Sequence, residues 1–306
     1  MNKINPIVSL LLFPSGLALM AISLFYEFLN RKIIARFQNR SGPQWFQPAA
    51  DFFKSLSKEE IIPKGVNRKL FIILPIVSFA CVMTASLYVP IFGIKPSYSL
   101  QGDLIITIYL LSAMTMCLGL AGANSLDRFA VVGAVRTITQ LFSYEAPFML
   151  ALLMPALSAQ SWKISEITTY AAQHTWMVFT IPLGFIVAII GLMGKLELPP
   201  FDAPEAESEI VSGALVEYSG RGLALFHIAK DIELVVGLSL IAAFYFGGIV
   251  NPFVFILKTV FLLLIIALFE SAMTRFRIDQ TVGAWWQIGA LLALFQLLII
   301  ILQRTL

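Results

Sequence analysis

Long apolar segments recur along this chain, and they constrain its fold more than any other feature. Eight segments of about twenty residues are long enough to cross a hydrocarbon core of about 30 Å as helices. Hydrophobic residues are 58% of the 306 and charged residues only 13%, about half the charged share of a soluble domain. The sequence therefore predicts an all-α, polytopic membrane protein that forms a single transmembrane domain over residues 1–306. The predicted spans are 7–29, 70–94, 104–123, 143–160, 176–195, 226–248, 252–273 and 281–302.

Basic residues are distributed unequally between the two sides of these spans. Fifteen lie in the loops after the first, third, fifth and seventh spans, and four lie in the remaining loops and the termini. Basic residues concentrate in cytoplasmic loops. The bias therefore predicts a multi-pass protein of the cell membrane with both termini outside. No signal-peptide pattern with a cleavage site is found, so the first apolar segment is predicted to be retained.

The loop between the first two spans contains a segment with helical periodicity, at residues 43–60. Its apolar residues recur at helical spacing, and polar and charged residues occupy the other side. The apolar set is Ala49, Phe52, Phe53 and Leu56. The pattern predicts an amphipathic helix at the cytoplasmic membrane surface. Two roles stay open for it: anchoring the chain at the interface, or roofing a chamber below a docked partner.

An acidic segment interrupts the apolar sequence between the fifth and sixth spans. Its clustered carboxylates, with no basic residue among them, are Asp202, Glu205, Glu207, Glu209 and Glu217. Asp202 and Glu205 are spaced like a capping box at the start of a helix. That accounts for two or three of the carboxylates but not for Glu209 or Glu217. In a partly buried setting such groups bind protons near neutral pH, as a proton-loading chain requires.

Several ionisable residues fall within the predicted spans. Lys230, Asp231 and Glu233 share one turn of the sixth span, and Lys258 and Glu270 lie in the seventh. Each would cost at least about 2.5–3.5 kcal/mol facing lipid at the bilayer centre, so they are expected to face protein or water. Lys230 and Glu233 are three residues apart and can neutralise each other as a structural ion pair. The presence of several such residues on adjacent spans favours an ion path.

Three stretches of the sequence resemble the signature of one membrane-protein family. They are RKIIARFQNRSGPQ at 31–44, VVGAVRTITQLFSYEAP at 131–147 and PPFDAPEAESEIVSGALVEYSG at 199–220. In this order they are similar to the heel subunit of respiratory complex I, the membrane subunit beside the quinone chamber. They are also similar to its relatives in membrane-bound hydrogenases.

The resemblance implies a non-catalytic coupling subunit that links electron transfer in a docked peripheral arm to translocation of H⁺ or Na⁺. The implied ion path comprises Glu145, Asp202, Glu205, Glu207, Glu209 and Glu217. The charged turn of the sixth span extends this path with Lys230, Asp231 and Glu233. The residues implied in arm docking or charge balance are Arg31, Lys32, Gln38, Arg40 and Arg136.

The resemblance also implies partners. These are peripheral-arm iron–sulfur and hydrogenase-like subunits and antiporter-like membrane subunits, in addition to the lipid bilayer. Iron–sulfur clusters are expected in those partners. This chain itself is expected to bind no cofactor, metal or nucleic acid. Cys81 and Cys117 lie in apolar segments without metal-binding spacing, which predicts buried thiols.

The chain departs from the complex I pattern at positions that surround the quinone chamber in quinone-reducing members. Asn30 stands where a glutamate is usual, and Lys230 replaces a glutamate of the sixth span. The usual Thr-Asn-Arg triplet reads Leu196-Glu197-Leu198. These departures favour a branch with soluble electron acceptors, a membrane-bound hydrogenase or sulfur reductase. A quinone-chamber subunit of an NADH- or ferredoxin-quinone oxidoreductase, a structural anchor and a stand-alone secondary ion transporter stay open as alternatives.

Overall fold

Helices make up the regular structure of this chain. The computed structural model describes residues 12–13, 15–94, 96–174, 176–249 and 251–305, and these residues contain no β-strand. The predicted all-α integral membrane fold is confirmed. The main helices are α1 (Leu17–Phe37), α2 (Gln47–Ser57), α3 (Arg68–Ser86), α4 (Asp103–Asn124), α5 (Arg128–Ala159), α6 (Ile164–Gln173), α7 (Met177–Thr180), α8 (Pro182–Lys195), α9 (Gly220–Tyr245), α10 (Pro252–Ala272), α11 (Ile278–Ala284) and α12 (Ala290–Thr305).

The apolar helices correspond to the predicted spans. Among the described residues, five helical stretches are long and apolar enough to cross a membrane, namely α3, α4, α5, α10 and the stretch Ile278–Gln303, in which a π-helical turn joins α11 to α12. Helix α8 is shorter, and α1 and α9 carry several charges. Residues 7–11 and 14 of the first predicted span lie outside the described residues. The number of crossings and the outward position of the termini stay predictions.

Helix α5 is longer than the span predicted for it. It runs for 32 residues, Arg128–Ala159, although the predicted span begins at residue 143. The Asp127 carboxylate caps its first turn by accepting hydrogen bonds from two backbone N–H groups, at 2.8 and 3.1 Å. Pro147 and Pro155 lie inside the helix, where each removes a backbone hydrogen bond. Packing against α4, α8 and α12 holds the helix together across both prolines.

Helix α9 forms the centre of the bundle. It packs against α1, α2, α3, α6, α8 and α10, and every residue from Ile232 to Tyr245 is buried. A helix that is apolar on all sides is expected in such a position. The charged turn of this helix therefore lies next to the protein core and not in lipid.

The predicted amphipathic surface helix is present as α2, with Pro48 in its first turn. It packs on α1 and α9, and Phe52 contacts the main core. Phe53 on the other side is 66% exposed, and Trp45 just before the helix is 73% exposed. The helix therefore covers the charged turn of α9 with one face and offers aromatic side chains to its surroundings with the other.

The acidic segment between α8 and α9 is a folded loop with three short helical turns, at Ala203–Glu205, Glu207–Ile210 and Gly213–Leu215. Small residues let it pack closely on α5. A Cβ atom on Gly133 would lie 2.5 Å from the Ala214 nitrogen, and one on Gly213 would lie 2.0 Å from the Pro204 oxygen. Gly213 also has φ of +53°, which glycine adopts readily. The capping-box interpretation is wrong, because the Asp202 side chain caps no helix.

Candidate functional site

A cavity of about 390 Å³ lies under helix α2, between α1, the acidic segment and α9. Its wall combines apolar side chains with many charges. The charged residues that line it are Glu27, Arg31, Asp51, Glu197, Glu205, Lys230 and Asp231. The cavity therefore joins the surface helix, the acidic segment and the charged turn of α9 in one place.

Lys230 is the central charge of this cavity wall. Its Nζ atom donates hydrogen bonds to Glu197 Oε2 at 2.8 Å and to Glu205 Oε1 at 2.7 Å. The Glu197 side chain is 2% exposed and that of Glu205 36%. The predicted pairing of Lys230 with Glu233 is wrong, because the lysine extends from α9 to the acidic segment instead. Two departures from the complex I pattern, Glu197 and Lys230, thus contact each other.

Glu233 pairs with a residue that the sequence did not single out. Lys195, the last residue of α8, places Nζ 3.3 Å from Glu233 Oε1, and both side chains are at most 2% exposed. The same ammonium lies 5.8 Å from the centre of the Tyr144 ring. This second ion pair is therefore fully enclosed, deeper in the protein than the cavity wall.

Arginines hold two other carboxylates of the acidic segment. Arg275, in the loop after α10, donates from Nε and Nη2 to the two oxygens of Asp202 at 2.9 and 2.6 Å. Arg136 on α5 donates to Glu209 at 2.7 Å and to the Ala203 carbonyl at 3.1 Å. Two-point contacts of this kind fix orientation as well as charge. They attach the acidic segment to α5 and to the loop after α10.

The remaining carboxylates of the predicted path have no such partners. Glu145 on α5 and Glu217 just before α9 are half-buried, and Glu207 is exposed. Asp231 lines the cavity. Within the described part of the chain, none of these four makes a hydrogen bond or an ion pair. The structure thus separates the predicted path residues into paired and unpaired carboxylates.

Arg31, one of the predicted docking residues, connects α1 to the surface helix. Its guanidinium is hydrogen-bonded to Glu27, one turn earlier, and lies 3.6 Å from the Asp51 carboxylate on α2. Both Arg31 and Asp51 are 47% exposed, so these contacts contribute little to stability. Their consequence is geometric, since they position α2 over the cavity.

The other docking candidates at the end of α1 are more weakly engaged. Lys32 Nζ lies 3.5 Å from the Pro43 carbonyl oxygen, and Arg40 donates a hydrogen bond to the neighbouring Gln38. Gln38 and Arg40 are exposed. They form a surface beside α2, well separated in sequence from the acidic segment.

Sequence reasoning does not identify several members of this site. They are Lys195, Glu197 and Arg275. The sequence singled out Asn30 and Glu270 but not their contact with each other, at 3.4 Å. In the sequence Glu197 stands out only as a departure from the complex I pattern, and Lys195 and Arg275 only as loop charges. Two features of the sequence could have identified them. Lys195 and Glu197 directly precede the acidic segment, and Arg275 follows the end of an apolar helix.

Burial and pairing set the charge state of the groups outside the spans. Burial raises the pKa of the Glu197 carboxyl above its usual value, although the nearby Lys230 ammonium opposes this. The hydrogen bonds to Asp202 raise the pKa of the Arg275 guanidinium, which stays charged in any case. The arginine contact is therefore a permanent ion pair, whereas Glu197 is a group that can accept a proton.

No metal-ligating cluster is found in the described part of the chain. Groups of three or more His, Cys, Asp or Glu side chains placed to hold an ion do not occur there. Both cysteines are free thiols.

Comparisons with known proteins agree with this architecture. A family model described as NADH dehydrogenase matches residues 9–301. A subunit of the NADH-quinone oxidoreductase from Carboxydothermus hydrogenoformans is 32% identical over 280 residues, covering 87% of this chain and 80% of that protein. The corresponding protein of Thermomicrobium roseum, also a subunit of NADH-quinone oxidoreductase, is 30% identical and covers 92% and 90%.

One solved structure has the same fold, with a TM-score of 0.84 at 23% identity. The match covers 92% of this chain and 96% of the other, which belongs to the membrane-bound sulfane sulfur reductase, an archaeal respiratory membrane complex. The long family match and the identity to the oxidoreductase subunits together decide the assignment. The chain belongs to the NADH dehydrogenase family, as a homologue of the complex I heel subunit.

Proposed function

We propose that this protein is the membrane coupling subunit of a complex I-related respiratory complex. It docks a peripheral redox arm and links electron transfer there to translocation of H⁺ or Na⁺. The observation that carries the proposal is the series of charges that leads from the acidic segment through the cavity wall into the protein. Its contacts are Glu205–Lys230 and Lys230–Glu197 at the cavity wall and, as a separate enclosed pair, Lys195–Glu233.

Burial of these charges supports a functional role. Ion pairs in a protein interior seldom add stability, because desolvation offsets the attraction between the charges. If the protein were only a structural anchor, apolar side chains in place of Lys195 and Glu233 would stabilise it equally well. Ionisable residues inside a membrane protein mark ion pathways by default. The enclosed pairs therefore favour an ion path over a purely structural anchor.

The chemistry of the cavity favours a soluble electron acceptor. In the complex I pattern this region surrounds a quinone, whereas here Lys230 and Glu197 join across the wall at 2.8 Å. An apolar ligand would have to displace or desolvate that pair, which is costly. We therefore favour a hydrogenase-like or sulfur-reducing complex.

The second candidate is the quinone-chamber subunit of an NADH- or ferredoxin-quinone oxidoreductase. The two bacterial relatives described above support it, because both are subunits of NADH-quinone oxidoreductases. Quinone-analogue reduction by the purified complex separates the two candidates. The cavity chemistry predicts that electrons do not reach the quinone through this chain.

The proposed partners follow from the exposed surfaces. The peripheral arm, with its iron–sulfur and hydrogenase-like subunits, docks on residues 30–69 and 196–225, where Trp45 and Glu207 are exposed. Antiporter-like membrane subunits continue the ion path. Purification in mild detergent separates this proposal from a stand-alone transporter, which would be isolated without partners.

A matched pair of variants tests the coupling role. Glu217→Gln keeps the shape and hydrogen-bonding capacity of a half-buried, unpaired carboxyl but removes its titratable group. Glu166→Gln makes the same change at an exposed glutamate paired with Lys163. We expect Glu217→Gln to reduce ion pumping in sealed vesicles far more than redox turnover in detergent, while Glu166→Gln changes neither. A fully assembled Glu217→Gln complex that pumps with normal stoichiometry contradicts the proposed path.

A further inference from the structure

The cavity under helix α2 carries more negative than positive charge. Five carboxylates line its wall, against two cationic side chains. The carboxylates are those of Glu27, Asp51, Glu197, Glu205 and Asp231, and the cations are those of Arg31 and Lys230. When all seven side chains are ionised, three negative charges have no counterpart in the wall. A cleft lined by an excess of one sign of charge concentrates ions of the opposite sign.

The excess negative charge is distributed around the cavity wall. Each cation faces two carboxylates, and the two sets are Arg31 with Glu27 and Asp51, and Lys230 with Glu197 and Glu205. Each set therefore keeps one negative charge. Asp231 makes no ion pair in the described part of the chain and supplies the third. A ligand with several separated positive charges matches this distribution better than a single small ion does.

Unpaired polar atoms in the same wall indicate what kind of group the ligand carries. Asn30 and Glu197 line the cavity and are at most 5% exposed. Asn30 Nδ2 donates to Glu270 at 3.4 Å, and Glu197 Oε2 accepts from Lys230 at 2.8 Å. Among the described residues, Asn30 Oδ1 and Glu197 Oε1 are buried without a hydrogen bond. Both are acceptors, so the complementary ligand is a hydrogen-bond donor.

The rest of the wall is apolar. Its larger apolar side chains are those of Leu24, Phe52, Leu196, Leu198 and Leu234. The cavity volume of about 390 Å³ lies in the range of small-molecule sites. A bare metal ion would leave the apolar surface uncovered, and the described residues contain no group of three or more side chains placed to hold one. The wall therefore matches an organic cation that combines ammonium groups with an aliphatic chain.

We propose that this cavity binds a linear aliphatic polyamine, a chain of methylene groups with several ammonium groups along it. The ammonium groups donate to Asn30 Oδ1 and Glu197 Oε1 and neutralise Asp231, while the methylene groups contact the leucines. Lys230 keeps its present contacts, because the ligand uses the other oxygen of Glu197. This binding site goes beyond the coupling role and uses no step of ion translocation.

The wall also provides access and gives the ligand a structural consequence. Arg31 and Asp51 are 47% exposed and Glu205 is 36% exposed, so they form an open rim. The cavity lies between α1, α2, the acidic segment and α9. A bound polyamine thus holds the surface helix to the acidic segment by neutralising carboxylates on both.

The test is equilibrium binding of radiolabelled spermidine to the purified, assembled complex. It is carried out at about 0.15 M salt, where charges are screened over about 8 Å, which suppresses loosely held counterions. We expect saturable binding to the wild-type complex. Asp51→Asn and Asp231→Asn each remove one negative charge from the wall, and each should weaken this binding at least about tenfold, as for the loss of a close charge partner. Glu59→Gln, at an exposed glutamate outside the cavity, should bind as wild type does.

Competitors distinguish a polyamine site from a cavity that only accumulates cations. Mg²⁺ and a neutral alkanediol of the same chain length should displace spermidine at least about tenfold less effectively than unlabelled spermidine does, because each provides only one of the two properties that the wall requires. Displacement by Mg²⁺ as effective as that by spermidine shows a site for inorganic cations and overturns the proposal. Equally effective displacement by the diol overturns it too.

A second pair of variants keeps the test decisive if Asp231→Asn fails to assemble. Ser55 lines the cavity from α2 and is partly exposed. Ser55→Lys places a tethered ammonium group at the wall, and Ser55→Gln places a neutral polar side chain there. We expect Ser55→Lys to bind spermidine at least about tenfold more weakly than Ser55→Gln. Equal binding by these two assembled variants, or a wild-type complex without saturable binding, overturns the proposal.

Discussion

Replacing Lys230 with methionine removes the ammonium group that neutralises Glu197. The Glu197 side chain is 2% exposed, so its carboxylate cannot return to water. Glu205, at 36%, can do so at little cost. Breaking a buried ion pair while one charge stays buried costs about 3–5 kcal/mol. A loss of stability of that size is therefore expected unless Glu197 changes its charge.

Proton uptake by Glu197 limits the loss. Protonating a glutamate of ordinary pKa, about 4.3, costs about 3.7 kcal/mol at pH 7, since each pH unit is about 1.36 kcal/mol. The largest loss of stability that proton uptake allows therefore falls to about 2.3 kcal/mol at pH 6. Burial already raises the pKa of Glu197 in the native protein, and loss of Lys230 raises it further. The folded variant then binds a proton that the unfolded chain releases, so its stability deficit shrinks as the pH falls.

The assay is thermal unfolding of the detergent-solubilised complex at pH 8, 7 and 6, followed by tryptophan fluorescence, with subunit content checked on a gel. The double variant Lys230→Met/Glu197→Gln leaves only the partly exposed Glu205 without its partner and should stay within about 1.5 kcal/mol of wild type. Lys163→Met, at a lysine that is 33% exposed, should cost less than about 1 kcal/mol. The reasoning would be refuted if Lys230→Met were as stable as the double variant at pH 8. It would also be refuted if the stability deficit of Lys230→Met grew as the pH fell.

Three further substitutions, with Gly283→Ala as a control, test individual contacts by the same melting assay. Gly213→Ala should destabilise the protein by about 1–3 kcal/mol or more, because its Cβ would lie 2.0 Å from the Pro204 oxygen. Gly283→Ala should be neutral, because no neighbouring atom lies within 4 Å of the added Cβ. Arg275→Lys should cost about 1–2 kcal/mol, because lysine cannot reproduce the two-point contact with Asp202. Lys258→Met should cost about 1–3 kcal/mol, because the Phe246 and Gly248 carbonyls lose their donor at 2.6 and 2.7 Å.

Apolar length predicted the fold of this chain well because it is a property of contiguous sequence. Each predicted span overlaps helical residues in the described part of the chain, although the fifth is divided into α7 and α8 and α1 begins only at Leu17. The boundaries were less predictable. The fourth span was predicted to begin at residue 143, whereas α5 begins at Arg128 and continues through Pro147 and Pro155. Local propensity disfavours proline within a helix, and only the packing of neighbouring helices, which the sequence does not display, offsets it.

The partners in the candidate site could not be predicted from spacing. Lys230 and Glu233 are three residues apart on one helix, which suggested a local ion pair. In the structure their partners, Glu197 and Lys195, come from the end of α8. A contact between elements more than thirty residues apart depends on how the helices pack. The sequence identified which residues carry charge, and the fold determines which charges meet.

The partners of each carboxylate separate those that anchor the acidic segment from those that do not. Asp202 and Glu209 contact arginines, which remain charged at every accessible pH, and these contacts fix the acidic segment on the bundle. Glu205 faces Lys230, a flexible point charge that can follow a displaced carboxylate. Glu217 has no ion-pair partner in the described residues. A movement of the segment relative to the bundle would therefore change the surroundings of Glu205 and Glu217 before it broke an arginine contact.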